Sequence, residues 1–290
     1  MVKAVKTIGN PVSWSAKTVG NIFGHFRSVT EALTEKEVSV HPEIMSLSMT
    51  DIRAALKQGF ADFVAFRTDV VFLCLLYPLV GLSLVWMATQ GDLLHLLFPV
   101  IAGFALVGPV AAVGLYEMSR RREQGEETNW MAALKVLESP RFGAVFVLGL
   151  FHVVVFALWL LVANLIFVTT LGPAMPETIR EFVRLVFTTR AGWEMAAMGM
   201  ITGFFFAAAV LAFSITSFPM LLDREVGLKT ALTTSVQVAR KNPLITATWG
   251  LIVATGLALG SLPVLLGLII VVPVLGHATW HLYRRAVSWK

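Results

Sequence analysis

Long apolar runs separated by short polar segments dominate the chain. Six runs are long enough, at 1.5 Å per helical residue, to cross the hydrocarbon core of a bilayer, about 30 Å thick. In chain order they are 70–88, 93–116, 142–171, 195–222, 243–260 and 262–283. The last two share one apolar stretch, which the turn-forming sequence around Gly260 and Pro263 divides. The pattern therefore predicts an all-α membrane protein, a bundle of six transmembrane helices.

Three further segments have the spacing of amphipathic helices. Segment 14–33 repeats apolar residues at helical intervals, a pattern typical of a helix on a bilayer surface or a partner. Segment 52–66 predicts a cytoplasmic helix before the first crossing, and 176–187 a short helix on the outer surface. Residues 34–49 are polar and unpatterned, which predicts a linker. We therefore expect a cytoplasmic N-terminal segment, 1–50, and a membrane domain, 51–290.

A weak internal repeat organises the predicted membrane domain. Similar four-residue stretches at 54–57, 132–135 and 230–233 each open a short segment before a crossing. The spacing of Pro99, Gly103 and Pro109 in the second run returns at Pro263, Gly267 and Pro273 in the sixth. The sequence thus predicts three parallel units, each a cytoplasmic interfacial helix followed by a transmembrane hairpin.

Composition agrees with a membrane protein, and the charge distribution predicts its orientation. Hydrophobic residues make up 57% of the 290 and charged residues 14%, against about 25% charged in soluble domains. Twenty of the 23 basic residues lie in the termini and in the loops on one predicted face. Lys and Arg concentrate in cytoplasmic loops, so both termini are expected in the cytoplasm of a bacterial inner membrane. The net charge of +5 is thereby explained without nucleic acid.

Four polar residues at membrane depth could line a path for a small solute. They are His152, Asn164, Thr216 and Ser217. Polar side chains at this depth face the bundle interior or a cavity, and structural hydrogen bonding is the alternative use. The six runs contain no Asp, Glu, Lys or Arg, which weakens an ion-coupled transporter.

His277 and His281 are four residues apart, so both lie on one face of the predicted sixth helix. With His152 they are candidate haem or metal ligands. No further ligand is spaced to complete a site, so we expect no cofactor. The competing interpretation is an aromatic belt of His277, Trp280, His281 and Tyr283 at headgroup level.

Charged residues where the predicted helices leave the membrane are candidate contacts for lipid headgroups or partner loops. They are Arg120, Arg121, Arg122, Asp223 and Arg224, to which the belt residues are added. The simpler interpretation is that these clusters only stop membrane insertion. The chain contains no Gly-rich phosphate loop, catalytic Ser-His-Asp pattern or nucleophile elbow, so we expect no enzyme.

Three stretches of sequence, 108–121, 217–224 and 273–284, carry a family likeness. They resemble a bacterial family of predicted multi-pass integral membrane proteins built around a domain of unknown function, over roughly 45–287. The resemblance implies the fold but no activity. Some relatives carry the label cytochrome c oxidase subunit I, which needs about six ligand histidines. Here only His152 lies deep, so that label is not supported.

These observations favour a non-catalytic accessory, assembly or scaffold protein that binds partner membrane proteins or lipids. A transporter or channel for a small solute is the first alternative, favoured by the helix prolines and the repeat. A haem- or metal-binding redox protein is the second.

Overall fold

The computed structural model describes residues 42–89, 93–126, 128–129, 131, 133, 135–139, 141–172, 176 and 178–289. This part of the chain is almost entirely helical, as predicted. The helices are α1 (Met49–Cys74), α2 (Leu76–Thr89), α3 (Leu97–Ala111), α4 (Val113–Glu123), α5 (Phe142–Thr170), α6 (Ile179–Thr188), α7 (Arg190–Ser214), α8 (Ser217–Asp223), α9 (Leu228–Lys241), α10 (Pro243–Ser261) and α11 (Leu268–Ala286). Short 3₁₀ turns occupy Leu94–Leu96 and Lys135–Glu138, and two strands, β1 (Pro42–Ile44) and β2 (Val287–Trp289), pair with each other.

Three helical segments among the described residues are long and apolar enough to cross a membrane. They are Phe142–Thr170, Arg190–Asp223 and Pro243–Ser261, and each buries less than a third of its most apolar window inside the protein. A fourth is possible if Leu94–Gly103 and Ala105–Ala111, bent by 43°, count as one span. Their outward-facing apolar side chains are suited to contact with the hydrocarbon chains of lipids.

The six-crossing bundle and its three hairpins are not confirmed, because the first and sixth predicted crossings look different in the structure. Run 70–88 is divided between the end of α1 and the 14-residue α2. Run 262–283 loses its first residues to a turn, in which Val264 and Leu265 have positive φ. The remainder, α11, ends in a polar, buried half.

Helices α1 and α11 make the most extensive contact of any helix pair in the described chain, and a glycine permits their approach. A Cβ added to Gly59 would lie 2.5 Å from the backbone nitrogen of Ala278. Ile52 and Ala55, on the same face of α1, are buried in the main core together with Ala278 and Leu282. The predicted interfacial helix 52–66 is therefore the first part of α1, with one face buried against α11 and the other exposed.

The two described ends of the chain lie side by side. Pro42 pairs with Trp289 and Ile44 with Val287 in an antiparallel ladder. The side chain of Asn242, which ends α9, accepts a hydrogen bond from the backbone nitrogen of Leu47 (2.7 Å) and donates one to the carbonyl of Met45 (3.1 Å). The described end of the expected linker 34–49 is thus held by the pairing of β1 with β2 and by the side chain of Asn242. Local sequence cannot reveal these contacts, because their partners lie far along the chain.

Of the other predicted interfacial elements, α6 and α9 are present as helices with strongly amphipathic sequences. Only part of the second interfacial segment is described, as the 3₁₀ turn Lys135–Glu138. The predicted helix 14–33 lies outside the described residues.

Candidate functional site

The buried carboxylate of Asp62 joins α1, α4 and α11 at their polar ends. Its Oδ2 accepts hydrogen bonds from Ser119 Oγ at 2.6 Å and from His281 Nε2 at 2.9 Å. Its Oδ1 accepts from Arg122 Nη1 at 2.7 Å. Ser119 Oγ also lies 2.8 Å from Nδ1 of His277. Arg122 and His281 therefore bind Asp62 directly, and His277 is connected to it through Ser119. The sequence singled out these three residues but not Asp62.

The hydrogen bonds fix the proton positions in this network. An ionised carboxylate only accepts, so His281 must carry a proton on Nε2. Because Ser119 gives its hydrogen to Asp62, Nδ1 of His277 must in turn donate to Ser119 Oγ. His277 thus donates to Ser119, Ser119 donates to Asp62, and the ionised carboxylate of Asp62 is the final acceptor.

Asp62 stays ionised despite being only 5% exposed. Burial acts to raise the pKa of its carboxyl, but the hydrogen bonds from His281 and Ser119, with the charge of His281, outweigh it and hold the pKa below the usual value of 3.8. The paired acid thus serves as an anchor for the donors around it.

A polar cavity of about 450 Å³ opens beside this network. Its lining is charged or polar apart from one alanine: Gln58, Ala61, Asp62, Ser119, Arg122, Glu123, His281, Arg284 and Arg285. Arg285 donates to Gln58 Oε1 at 3.0 Å, and the guanidinium of Arg122 lies over the Phe66 ring at 5.6 Å. The arginines are held in place, so the cavity wall is a fixed array of donors.

A second group of acids, Glu123 and Asp223, holds the end of α11. Glu123 accepts from the ring nitrogen of Trp280 at 2.9 Å and from Arg284 at 3.0 Å. Asp223 accepts from Tyr283 Oη at 2.8 Å and from Arg284 at 3.2 Å. The helix exits of α4, α8 and α11 are therefore bound into one charged layer.

A comparison with known protein families gives a match to this chain. Residues 97–223 match the family of predicted integral membrane proteins DUF2189. No curated protein and no solved structure matches the chain. The match confirms the resemblance and includes the stretch 108–121, whereas 273–284 lies beyond it. The chain is an integral membrane protein.

Three of the four predicted belt residues do not face lipid. His277 and Tyr283 are fully buried and Trp280 is 1% exposed, so the belt interpretation is wrong at these positions. Their polar atoms are used by Ser119, Asp223 and Glu123 instead of headgroups. The physical reason is that α1 and α4 cover the face of α11 that carries them.

Of the remaining charged candidates, Arg120 and Arg121 are paired with an acid and Arg224 is partly exposed. In the DUF2189 region, Arg120 and Arg121 both donate to Glu117, at 2.7–2.8 Å. Arg224 is half-exposed, and its guanidinium lies over the Trp289 ring at 5.4 Å.

The membrane-depth candidates lie in two separate places on the described helices. His152, Thr216 and Ser217 are fully buried, and the His152 ring packs edge-on against Phe218. His152 Nδ1 bonds the carbonyl of Leu148, and Ser217 bonds that of Phe213. Asn164, twelve residues along α5 and hence about 18 Å away, pairs with His95 at 2.8 Å. Asn164 therefore lies apart from the other three, and a solute path past all four stays a prediction.

His277 and His281 meet a carboxylate, but the described residues contain no group of three His, Cys, Asp or Glu side chains placed to hold a metal ion. Their protons face Ser119 and Asp62, as derived above. His152 lies on α5 against the rings of Phe151 and Phe218, away from that network.

The sequence did not single out Asp62 or Ser119. An isolated acidic residue in an amphipathic segment looks like an acid that is exposed to solvent. A signal was nevertheless present. Ile52, Ala55, Gly59 and Asp62 recur at intervals of three and four, on one helix face. Small residues on that face indicate close approach of a second helix, which buries the acid.

Proposed function

We propose that this protein is a non-catalytic accessory or scaffold protein of the bacterial inner membrane, which binds partner membrane proteins or lipids on its cytoplasmic face. The observation that carries the proposal is the charged layer at the ends of α4, α8 and α11. Asp62, Glu123 and Asp223 are each engaged by at least two donors there. Groups tied in this way form a rigid recognition surface, and none is left as a free base or nucleophile.

The cavity beside Asp62 supports the same proposal. Its arginines present donors in fixed positions, which suits acidic groups on a partner's cytoplasmic loop. The apolar faces of α5, α7 and α10 keep the protein in the bilayer next to such a partner. The orientation rests on the predominance of Lys and Arg on this face.

The test is cross-linking in native membranes followed by affinity purification and mass spectrometry. We expect cross-links from one membrane protein to concentrate on residues near the cavity, and to fall at least fivefold in an Arg285→Ala variant. Arg240→Ala, an exposed arginine on α9, is the matched control and keeps them. A monodisperse particle with neither co-purifying protein nor bound lipid contradicts the proposal.

A further inference from the structure

A separate cavity of about 250 Å³ lies on the other side of α4, and its polar wall is mostly arginine. Arg120, Arg121 and Arg141 face one carboxylate, Glu117, with the Ser139 hydroxyl beside them. Val136 and Leu222 complete the lining. The volume far exceeds the ~10–15 Å³ that a single water requires. The lining groups carry a net charge of +2 at neutral pH, which favours an anionic occupant.

Glu117 acts as a brace for two of these arginines. Its Oε2 accepts from Arg120 Nε at 2.8 Å, and its Oε1 accepts from Arg121 Nε at 2.7 Å. Its exposure is only 5%. A buried carboxylate bonded in this way fixes the two guanidiniums and leaves donors on Arg121 for another acceptor.

Arg141 contributes an unused donor. Its Nη1 donates to the carbonyl of Leu222 at 2.8 Å, whereas its buried Nε has no hydrogen-bond partner among the described residues. A buried donor without an acceptor costs free energy, so such atoms generally have a ligand or water in the complete system. Because Nε is closed to water, an anion in the cavity would instead bond Nη2, whose contact with Glu225 is 3.9 Å long.

Two other carboxylates approach these arginines without filling the cavity. Glu126 lies 3.4 Å from Arg121, and Glu225 lies 3.9 Å from Arg141. Their side chains are 49% and 81% exposed, so both pairs are screened by solvent and weak. Neither belongs to the lining.

The cavity lies at the level where the spans end. Arg141 immediately precedes the span Phe142–Thr170, and Leu222 is next to the last residue of the span Arg190–Asp223. Glu117 follows the end of α3 by six residues, about 9 Å of helix. Phosphate groups of bilayer lipids lie at this depth, just outside the hydrocarbon.

We propose that the cavity lined by Arg120, Arg121 and Arg141 binds an anionic phosphate group, with the headgroup of an anionic phospholipid as its source. Guanidinium groups bind phosphate oxygens through paired hydrogen bonds, and three around one cavity match the oxygens of one phosphate. This inference rests on the lipid-binding part of the proposed function; if it fails, binding of a partner protein is unaffected, and the cross-linking experiment still tests it.

The test uses the full chain in mild detergent, titrated with phosphatidylglycerol and followed by native mass spectrometry and thermal unfolding. We expect one tightly held phosphatidylglycerol per chain and a higher unfolding midpoint. The double variant Arg121→Gln/Arg141→Gln should bind at least tenfold more weakly. Arg240→Gln, the exposed arginine on the same predicted face, should bind as the unaltered chain does. Binding that weakens equally in both variants shows diffuse charge attraction and overturns the proposal.

Inorganic phosphate is the second arm and distinguishes the sources. Stabilisation by millimolar phosphate but not by phosphatidylglycerol, abolished in the double variant, retains the phosphate site and assigns it to a soluble ligand. If the double variant does not elute as a monodisperse particle, the unaltered chain decides. Failure to retain phosphatidylglycerol through dilution, together with no shift in phosphate, overturns the proposal.

Discussion

Asp62 shows how one buried charge can set the positions of several side chains. Its two oxygens accept hydrogen bonds from Ser119, Arg122 and His281, which come from two other helices. Removing such an acid leaves donors buried without an acceptor, which costs more than the pair itself contributes. The network therefore depends more on Asp62 than on any one donor.

Replacing Asp62 by alanine tests this dependence. We expect Asp62→Ala to lower the free energy of unfolding by about 3 kcal/mol, since it leaves Ser119 and His281 unpaired. Thermal unfolding in mild detergent measures the change. Glu194→Ala removes a half-exposed carboxylate paired with Arg190, and should change stability by no more than about 0.5 kcal/mol. Equal effects of the two changes would falsify the assignment.

The same carboxylate predicts a dependence of stability on acid. The pKa of Asp62 is lower in the folded protein than its ordinary value of 3.8. Its contribution to stability is therefore complete above that value and is lost as pH falls below it, through the folded-state pKa. Unfolding midpoints measured across this range should fall more steeply for the unaltered chain than for Asp62→Asn. Parallel curves would contradict the prediction.

At the level of helices, sequence predicted the apolar elements well and the packed polar ones poorly. The predicted crossing 142–171 agrees with Phe142–Thr170, and 243–260 with Pro243–Ser261, because continuous apolar length alone defines such helices. The first and sixth crossings are not confirmed as single spans, because run 70–88 is interrupted between α1 and α2 and run 262–283 begins in a turn. The burial of Asp62 at the contact of α1 with α11 depends on a partner more than 200 residues away, which no local period records.

The contact of α1 with α11 is tested at its narrowest point. A Cβ at Gly59 would lie 2.5 Å from Ala278 N and 2.6 Å from Ala278 Cβ, so Gly59→Ala must push the helices apart. We expect a loss of about 1–3 kcal/mol in the free energy of unfolding.

Gly199→Ala is the matched control in another helix. No atom lies within 4 Å of its added Cβ, so the better helix propensity of alanine should leave stability unchanged or about 0.5–1 kcal/mol higher. Thermal unfolding of both variants measures the difference. An unaltered Gly59→Ala protein would show that the helices are not in close contact.

For the molecule as a whole, the pairing of β1 with β2 places the described ends of the chain together. Two ends held together lie on one side of a membrane, and the basic residues predict that this side is the cytoplasm. Helix α6, with Arg180 and Arg184, belongs to the predicted outer face.

The orientation is measured by labelling single cysteines with a membrane-impermeant maleimide in a Cys74→Ser background. We expect Arg184→Cys to react in intact cells and Ser288→Cys only after permeabilisation, because Lys and Arg stay on the cytoplasmic side during insertion. Reaction of both positions from the same side would contradict the orientation.

The hydrogen bond between Asp62 and His281 joins residues 219 positions apart, so it also bears on the order of assembly. A ribosome produces the acid early and its histidine almost at the end. Until then, Asp62 has Ser119 and Arg122 of α4 but lacks His281, and α1 lacks its packing partner. The network around Asp62 is therefore completed last during synthesis, after the apolar spans have emerged, and a chain interrupted before α11 leaves Asp62 without one of its three donors.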